Sequence, residues 1–140
     1  MNRRHFTRCA IALTFTFGLA CGSDTTAPVV VTSVVGTWKL TAVNSAPLPY
    51  LISVSDPKLE LIAKGFVISA TGTFTTSFTL RATELDGTVT TGTTSDSGTV
   101  TLANNVATFT YASDGSGAVA SVTPTTMTIG GAATQEFTRQ

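Results

Sequence analysis

Histidine and cysteine are almost absent from this chain. The 140 residues include one histidine, His5, and two cysteines, Cys9 and Cys21. Nucleophilic catalysis of the Ser-His-Asp or Cys-His kind needs a histidine beside the nucleophile, and the usual zinc sites need histidine or cysteine ligands. Neither residue type occurs after Cys21. We therefore expect no enzymatic activity, no metal site and no cofactor.

The remaining side chains that could take part in catalysis or metal binding are carboxylates, which are spread along the chain. Their spacing matches no calcium-binding loop, and an acid–base pair would require two of them to meet in space. We interpret them as solvated groups, mostly at turns: Asp56, Glu60, Glu84, Asp86, Asp96, Asp114 and Glu136. The stretch from Asp114 to Gly117 lacks the lysine and the following helix of a phosphate-binding loop, which favours a plain turn.

Charge of either sign is also scarce. Charged residues make up 11% of the chain, and the formal net charge is zero. Arg3, Arg4 and Arg8 are all at the start, and after Cys21 five basic residues stand against eight acidic ones, a net charge of −3. Because no basic patch remains, we expect no nucleic-acid partner. The 29 threonines suit the solvated face of a sheet, and apolar residues reach 42%, so we expect one ordered all-β domain.

The first 20 residues have the organisation of an export signal. A positively charged start precedes an apolar stretch, residues 9–19, that is too short to cross a bilayer as a helix. The Ala20-Cys21 junction is similar to the lipobox of bacterial lipoproteins, although Gly18 stands where that family usually has leucine. The resemblance implies cleavage after residue 20, lipid attachment at Cys21 and a tether over residues 21–33. Gly22 after the cysteine resembles the sorting signal for the outer membrane, which implies a periplasm-facing location.

Two alternatives remain for this segment. One is an ordinary secretory signal cleaved near Ala20, which would leave Cys21 as a free thiol. The other is export by the twin-arginine route, suggested by Arg3 and Arg4. In the lipoprotein interpretation Cys9 is removed and Cys21 is acylated, so the domain after the tether has no disulfide and depends on its core alone.

Val35 to Asn44 is the stretch around which the rest of the chain is organised. Its alternation predicts a half-buried strand with Trp38, Leu40 and Ala42 on one face. Gly36 two residues before Trp38 resembles the opening of lipocalin-like (calycin) barrels. The resemblance implies an antiparallel up-and-down meander that closes into a small barrel over residues 34–140. It also implies that Arg139 stacks on Trp38 and closes the barrel; the alternative is a frayed, solvated C-terminus.

In the rest of the chain, apolar and polar residues alternate in short segments that are separated by turn residues. Asp86-Gly87 and Asn104-Asn105 predict hairpins, and helix is the alternative to strand for residues 56–64. The total is eight to ten short strands, which besides the first are 58–69, 73–81, 88–94, 97–103, 106–112, 118–122, 126–129 and 135–139. Alternation places Leu59, Leu61 and Ala63 on one face of the strand over residues 58–69, and Val89 is the best inward candidate of the strand over residues 88–94. Membrane-spanning strands need about 9–11 residues and an apolar outer face, so a transmembrane barrel is disfavoured.

We expect an apolar, largely aromatic barrel interior. The inward set is Trp38, Leu40, Phe74, Phe78, Leu80, Val100, Leu102, Phe109, Tyr111 and Phe137. Barrels of this size either are filled by their side chains or hold one small ligand. The first hypothesis is a lipid-anchored envelope protein that binds a small hydrophobic ligand, with candidate contacts at Trp38, Leu40, Phe74, Phe78, Leu80, Phe109 and Tyr111. The alternative is a solid barrel that contacts an envelope protein through its threonine-rich strands or through residues 46–50.

Overall fold

The computed structural model describes residues 33–140, and the predicted signal peptide, Cys21 and the tether up to residue 32 lie outside them. Ten strands occupy this part of the chain. They are β1 (Gly36–Val43), β2 (Ala46–Pro47), β3 (Tyr50–Ser53), β4 (Lys58–Ile68), β5 (Thr73–Thr83), β6 (Val89–Ala103), β7 (Val106–Tyr111), β8 (Gly117–Val122), β9 (Thr126–Ile129) and β10 (Gln135–Arg139). Within residues 33–140 no helix is long and apolar enough to cross a membrane.

The strands form one antiparallel sheet that closes on itself. From β4 to β10 each strand pairs with the next along the chain, and β1 pairs with both β10 and β4. Eight strands, β1 and β4 to β10, therefore form a closed barrel. The short strands β2 and β3 pair with the ends of β1 and β4, at the point where these two strands separate. This confirms the predicted all-β meander and its closure. The helical alternative for residues 56–64 is wrong, because β4 begins at Lys58 and pairs with β5 along its length.

Two predicted hairpin turns have the expected chemistry. Asn104 and Asn105 adopt positive φ values of 50° and 63° between β6 and β7, a conformation that asparagine tolerates well. Between β5 and β6, Gly87 has a φ of 85°, and the Asp86 carboxylate accepts a hydrogen bond from the Thr88 amide at 2.8 Å. These local turns bring consecutive strands together in register.

One end of the barrel is closed and filled. Gly36 pairs with Ile68 and Trp38 with Phe66, so β1 and β4 meet at this end. The largest fully buried side chains form its core, namely Trp38, Phe66, Phe109, Phe137, Leu40 and Met127. The ring of Phe66 lies 5.2–5.7 Å from the rings of Phe74, Phe109 and Phe137, centroid to centroid. Such tilted and edge-on contacts are the favoured geometry for aromatic packing.

The opposite end of the barrel is split. The pairing of β1 with β4 stops at Lys39 and Gly65. Beyond that point β1 pairs with β2 and β4 pairs with β3, so residues 46–53 bridge the gap. Leu48 and Tyr50 from this bridge pack against the core. Pro47 takes part in a two-residue pairing at the sheet edge, where a missing amide is tolerated.

The long strand β6 corrects one prediction. The sequence suggested separate strands over residues 88–94 and 97–103, but Val89–Ala103 is continuous because its whole first part pairs with β5 without a register shift. Val89, the expected inward residue, is 57% exposed. It lies on the part of β6 that extends beyond the barrel wall, where no strand other than β5 is paired with it.

Two β-bulges correct the predicted faces of β1 and β4. In β1 the register shifts between Leu40 and Ala42, so Val43 and not Ala42 continues the buried face of Trp38 and Leu40. In β4 the register shifts between Leu61 and Ala63. Leu61 therefore faces the core, whereas Ala63 lies on the outer wall. A bulge inserts one residue, which reverses the alternation and cannot be seen in a simple period of two.

Candidate functional site

The closed end is sealed by the first and last strands. Trp38 and Arg139 are direct cross-strand partners, and the guanidinium carbon of Arg139 lies 4.4 Å from the centroid of the Trp38 ring. The Trp38 indole N–H donates to the Val34 carbonyl at 2.8 Å. The Arg139 guanidinium also donates to the carbonyls of Ser33 and Val35. Gly36 has a φ of 133°, and a side-chain carbon there would lie 3.2 Å from the Arg139 guanidinium. This end of the barrel is thus shut by contacts that involve Gly36, Trp38 and Arg139.

Four of the candidate ligand contacts lie inside the packed core. Trp38, Leu40, Phe74 and Phe109 are each at most 2% exposed. The rings of Phe74 and Phe109 meet edge to face with centroids 5.2 Å apart. A ligand could reach these side chains only by separating rings that already touch. We therefore assign these four residues to the core that supports the site.

Two of the other three candidates, Phe78 and Leu80, lie towards the split end. Phe78 and Leu80 are partly buried and follow the inward residues Phe74 and Thr76 along β5. Leu80 is paired with Leu61, which packs against the core, and Phe78 is paired with Lys64. Paired residues in an antiparallel sheet share a face, so these four side chains form one surface that continues the barrel interior outward. We call this surface, made of Leu61, Lys64, Phe78 and Leu80, the mouth.

Lys64 is the polar group of the mouth. Its ammonium donates to the Gln135 side-chain oxygen at 2.8 Å and lies 5.7 Å from the centroid of the Phe66 ring. It makes no ion pair with any of the described carboxylates. Burial lowers the pKa of the Lys64 ammonium below its usual value, because the charged form loses water. An interior cation without a counter-ion favours an anionic group beside it.

Tyr111 lies at the end of β7, where it is paired with Gly98, the β6 partner of Phe74. Its ring packs edge-on against Phe74 at 5.3 Å. Burial raises the pKa of the Tyr111 phenol, and the negative charges of Asp96 and Asp114 raise it further. The Asp96 carboxylate accepts from the Ser113 hydroxyl at 2.7 Å, which ties the β7–β8 loop to β6. Tyr111 therefore stays a neutral hydrogen-bonding group at the end of β7.

The comparisons with known proteins give one likeness. The chain is similar in structure to a lipocalin-like protein from Bacteroides uniformis ATCC 8492. The sequences are 14% identical, the match covers 76% of this chain and 97% of that one, and the TM-score is 0.43. No family model matches the sequence. No curated protein matches it either.

A depression with a volume of about 840 Å³ lies on the outer wall, over β1, β4, β5 and β6. Outward-facing residues line most of it, among them Lys39, Ala63, Val67, Ser77 and Thr79. Ala63 faces this depression because of the bulge in β4. The sequence did not predict a concave outer surface.

Sequence reasoning missed two contributors to the site. Phe66 is 1% exposed and contacts three other rings, but Gly65 and the bulge obscured the alternation of β4. Lys64 was not considered because a lysine in a strand usually faces solvent. Its inward position follows from the register with Phe78 and could have been found only once Phe66 was placed in the core. No cluster of three metal-binding side chains occurs among residues 33–140.

Proposed function

We propose that this protein is a lipid-anchored protein of the bacterial cell envelope that binds a small hydrophobic molecule at the mouth of its barrel. The observation that carries the proposal is the pairing of half-buried Phe78 and Leu80 with Lys64 and Leu61 on one face. A ligand site is usually a mostly apolar surface with a few placed polar groups. Lys64 supplies such a group, so the favoured ligand carries one acidic group on an apolar body.

The location follows from the sequence features at the N-terminus. Cys21 is the proposed lipid attachment site, and three acyl chains would hold the protein on the membrane, since each buried methylene contributes roughly 0.8 kcal/mol. The first described residues, Ser33 to Val35, lie at the closed end beside Arg139. If the tether joins the barrel at the closed end, the mouth lies at the opposite end and faces the aqueous compartment.

Binding of 8-anilinonaphthalene-1-sulfonate tests the proposed site, because the probe joins an apolar body to one anionic group. Residues 22–140 contain the complete barrel with its core, and this segment lacks both cysteines. We expect the probe to bind with enhanced fluorescence. Phe78→Ala should weaken binding about tenfold, the effect of 1.4 kcal/mol, and Lys64→Met should weaken it comparably while leaving an uncharged apolar probe bound.

The matched control is Val67→Ala, a substitution at a residue on the outer wall that is 56% exposed. It should leave binding unchanged. Equal effects of Phe78→Ala and Val67→Ala, or no saturable binding to the native chain, would refute the site. Native mass spectrometry of the protein from its own host then identifies any molecule that co-purifies.

The second candidate is a module that contacts another envelope protein. The outer-wall depression favours this candidate, because it is concave and mixes threonine and serine with apolar Val67. The alternative contact segment, residues 46–50, is less accessible for this role, since Leu48 and Tyr50 are used against the core. Retention of a second polypeptide that Val67→Ala releases and Phe78→Ala does not would favour this candidate.

A further inference from the structure

The first part of β6 is an open sheet edge. Residues 89–96 pair with β5 on one side, whereas β7 begins to pair with β6 only at Gly98. Proteins commonly protect such edges with charges, prolines, bulges or short length. From Val89 to Ser95 the edge has no charge and no proline, and its pairing with β5 has no register shift. The terminal strands of the sheet order are short, since β2 has two residues and β3 has four residues and a bulge.

The backbone groups on this edge can be assigned from two hydrogen bonds. The Val100 amide donates to Gly72 on the β5 side, while the Ser97 carbonyl accepts from Ala112 on the β7 side, both at 2.8 Å. Peptide groups alternate between the two sides of a strand. Thr91 and Thr93 therefore direct both their N–H and C=O groups to the open edge, as do the other odd-numbered residues of this segment.

Gly92 lies at the centre of this edge, and no contact within the single chain explains why this position is a glycine. The barrel's other mid-strand glycines have a close backbone neighbour: a side-chain carbon at Gly98 would lie 2.0 Å from the Thr110 carbonyl oxygen, and one at Gly65 would lie 2.9 Å from that of Trp38. A carbon at Gly92 would meet nothing within 4 Å, and its φ is not positive. A strand glycine weakens the strand and often marks close approach of another backbone.

The sequence around Gly92 reads the same in both directions, Thr-Thr-Gly-Thr-Thr. We infer that the β6 edge is a homodimer interface in which two copies pair antiparallel about a two-fold axis through Gly92. This register places Thr91 opposite Thr93 of the second copy, and Gly92 opposite Gly92. Thr91 and Thr93 then exchange hydrogen bonds, and every threonine faces a threonine. The two flanking sheets become one sheet across the dimer, whether or not the mouth binds a ligand.

Charged substitutions test both the interface and its register. In residues 22–140, Thr91→Lys with Thr93→Lys places lysine opposite lysine twice, and we expect a monomer by sedimentation equilibrium. Thr91→Lys with Thr93→Glu places lysine opposite glutamate twice, and we expect the dimer to return. A native chain that is monomeric up to millimolar concentration overturns the proposal. So does a dimer that survives the double-lysine change, or a lysine–glutamate variant that stays monomeric.

A disulfide provides a second, independent measurement. Directly opposite residues in a non-hydrogen-bonded pair have Cα atoms about 4.5 Å apart, within the range that a disulfide bridges. Gly92→Cys should therefore give a covalent dimer on mild oxidation. Thr90→Cys is the matched control on the same face, because the register places it opposite Thr94 and away from its own copy. Equal cross-linking of the two variants would overturn the two-fold axis at Gly92.

Discussion

Trp38 and Arg139, 101 positions apart in the chain, are direct cross-strand partners, and the Arg139 guanidinium carbon lies 4.4 Å from the centre of the Trp38 ring. The same guanidinium donates to the Ser33 and Val35 carbonyls. This arrangement joins the first barrel strand, the last barrel strand and the segment that leads into the domain. The closed end is therefore fixed independently of the split end, where the mouth lies.

The first prediction concerns this seal. Arg139→Ala removes a cation–π contact that contributes about 0.5–2 kcal/mol, together with its hydrogen bonds to two carbonyls. We expect a lower free energy of unfolding in urea and a shifted Trp38 emission in the folded state. Lys39→Ala, at an exposed position of β1 next to Trp38, is the control and should change neither quantity. Equal stability of the native and Arg139→Ala chains would contradict the role of the seal.

The second prediction concerns the close contact of β6 with β7. In Gly98→Ala the new methyl group would lie 2.0 Å from the Thr110 carbonyl oxygen and 2.8 Å from the Phe74 ring. Overpacking of this kind costs about 1–3 kcal/mol or more, so thermal unfolding should occur well below that of the native chain. Gly92→Ala, where the added carbon meets nothing within 4 Å, should leave the monomer's stability unchanged or slightly raised. Similar melting temperatures for the two variants would be inconsistent with this geometry.

The third prediction concerns the charge state of Lys64. Its folded-state pKa is lowered from 10.5 by burial. Between the folded pKa and 10.5 the unfolded chain therefore binds more protons at this residue, and stability contributed by Lys64 rises as the pH rises through that window. Relative to Lys64→Met, the native chain should gain stability over this pH range in urea titrations. Lys39→Met, an exposed lysine on β1, is the control. A pH-independent difference between native and Lys64→Met proteins would show that Lys64 is solvated.

The fourth prediction concerns the lipid anchor. Cys21→Ser should abolish incorporation of labelled palmitate and leave the precursor uncleaved. Cys9→Ser, in the apolar part of the signal, should incorporate label as the native chain does. Labelling of the Cys21→Ser chain would remove the lipoprotein assignment, while the barrel and its mouth would be unaffected.

The sequence predicted the fold well where local chemistry determines it. The turns at Asp86-Gly87 and Asn104-Asn105 and the alternation of β5 and β7 depend on neighbouring residues, and these elements were predicted correctly. The faces of β1 and β4 beyond their bulges were not, because a bulge is fixed by pairing with a distant strand. The same reason hid Lys64, whose inward direction depends on the register with Phe78.

The most direct test of the account is an NMR titration of residues 22–140 with 8-anilinonaphthalene-1-sulfonate. We predict saturable shifts of the amide and side-chain signals at the mouth, around Leu61, Lys64, Phe78 and Leu80, with little change at Val67 on the outer wall. Shifts centred on the outer-wall depression, or no saturable shifts in any part of the barrel, would contradict a ligand site at the split end.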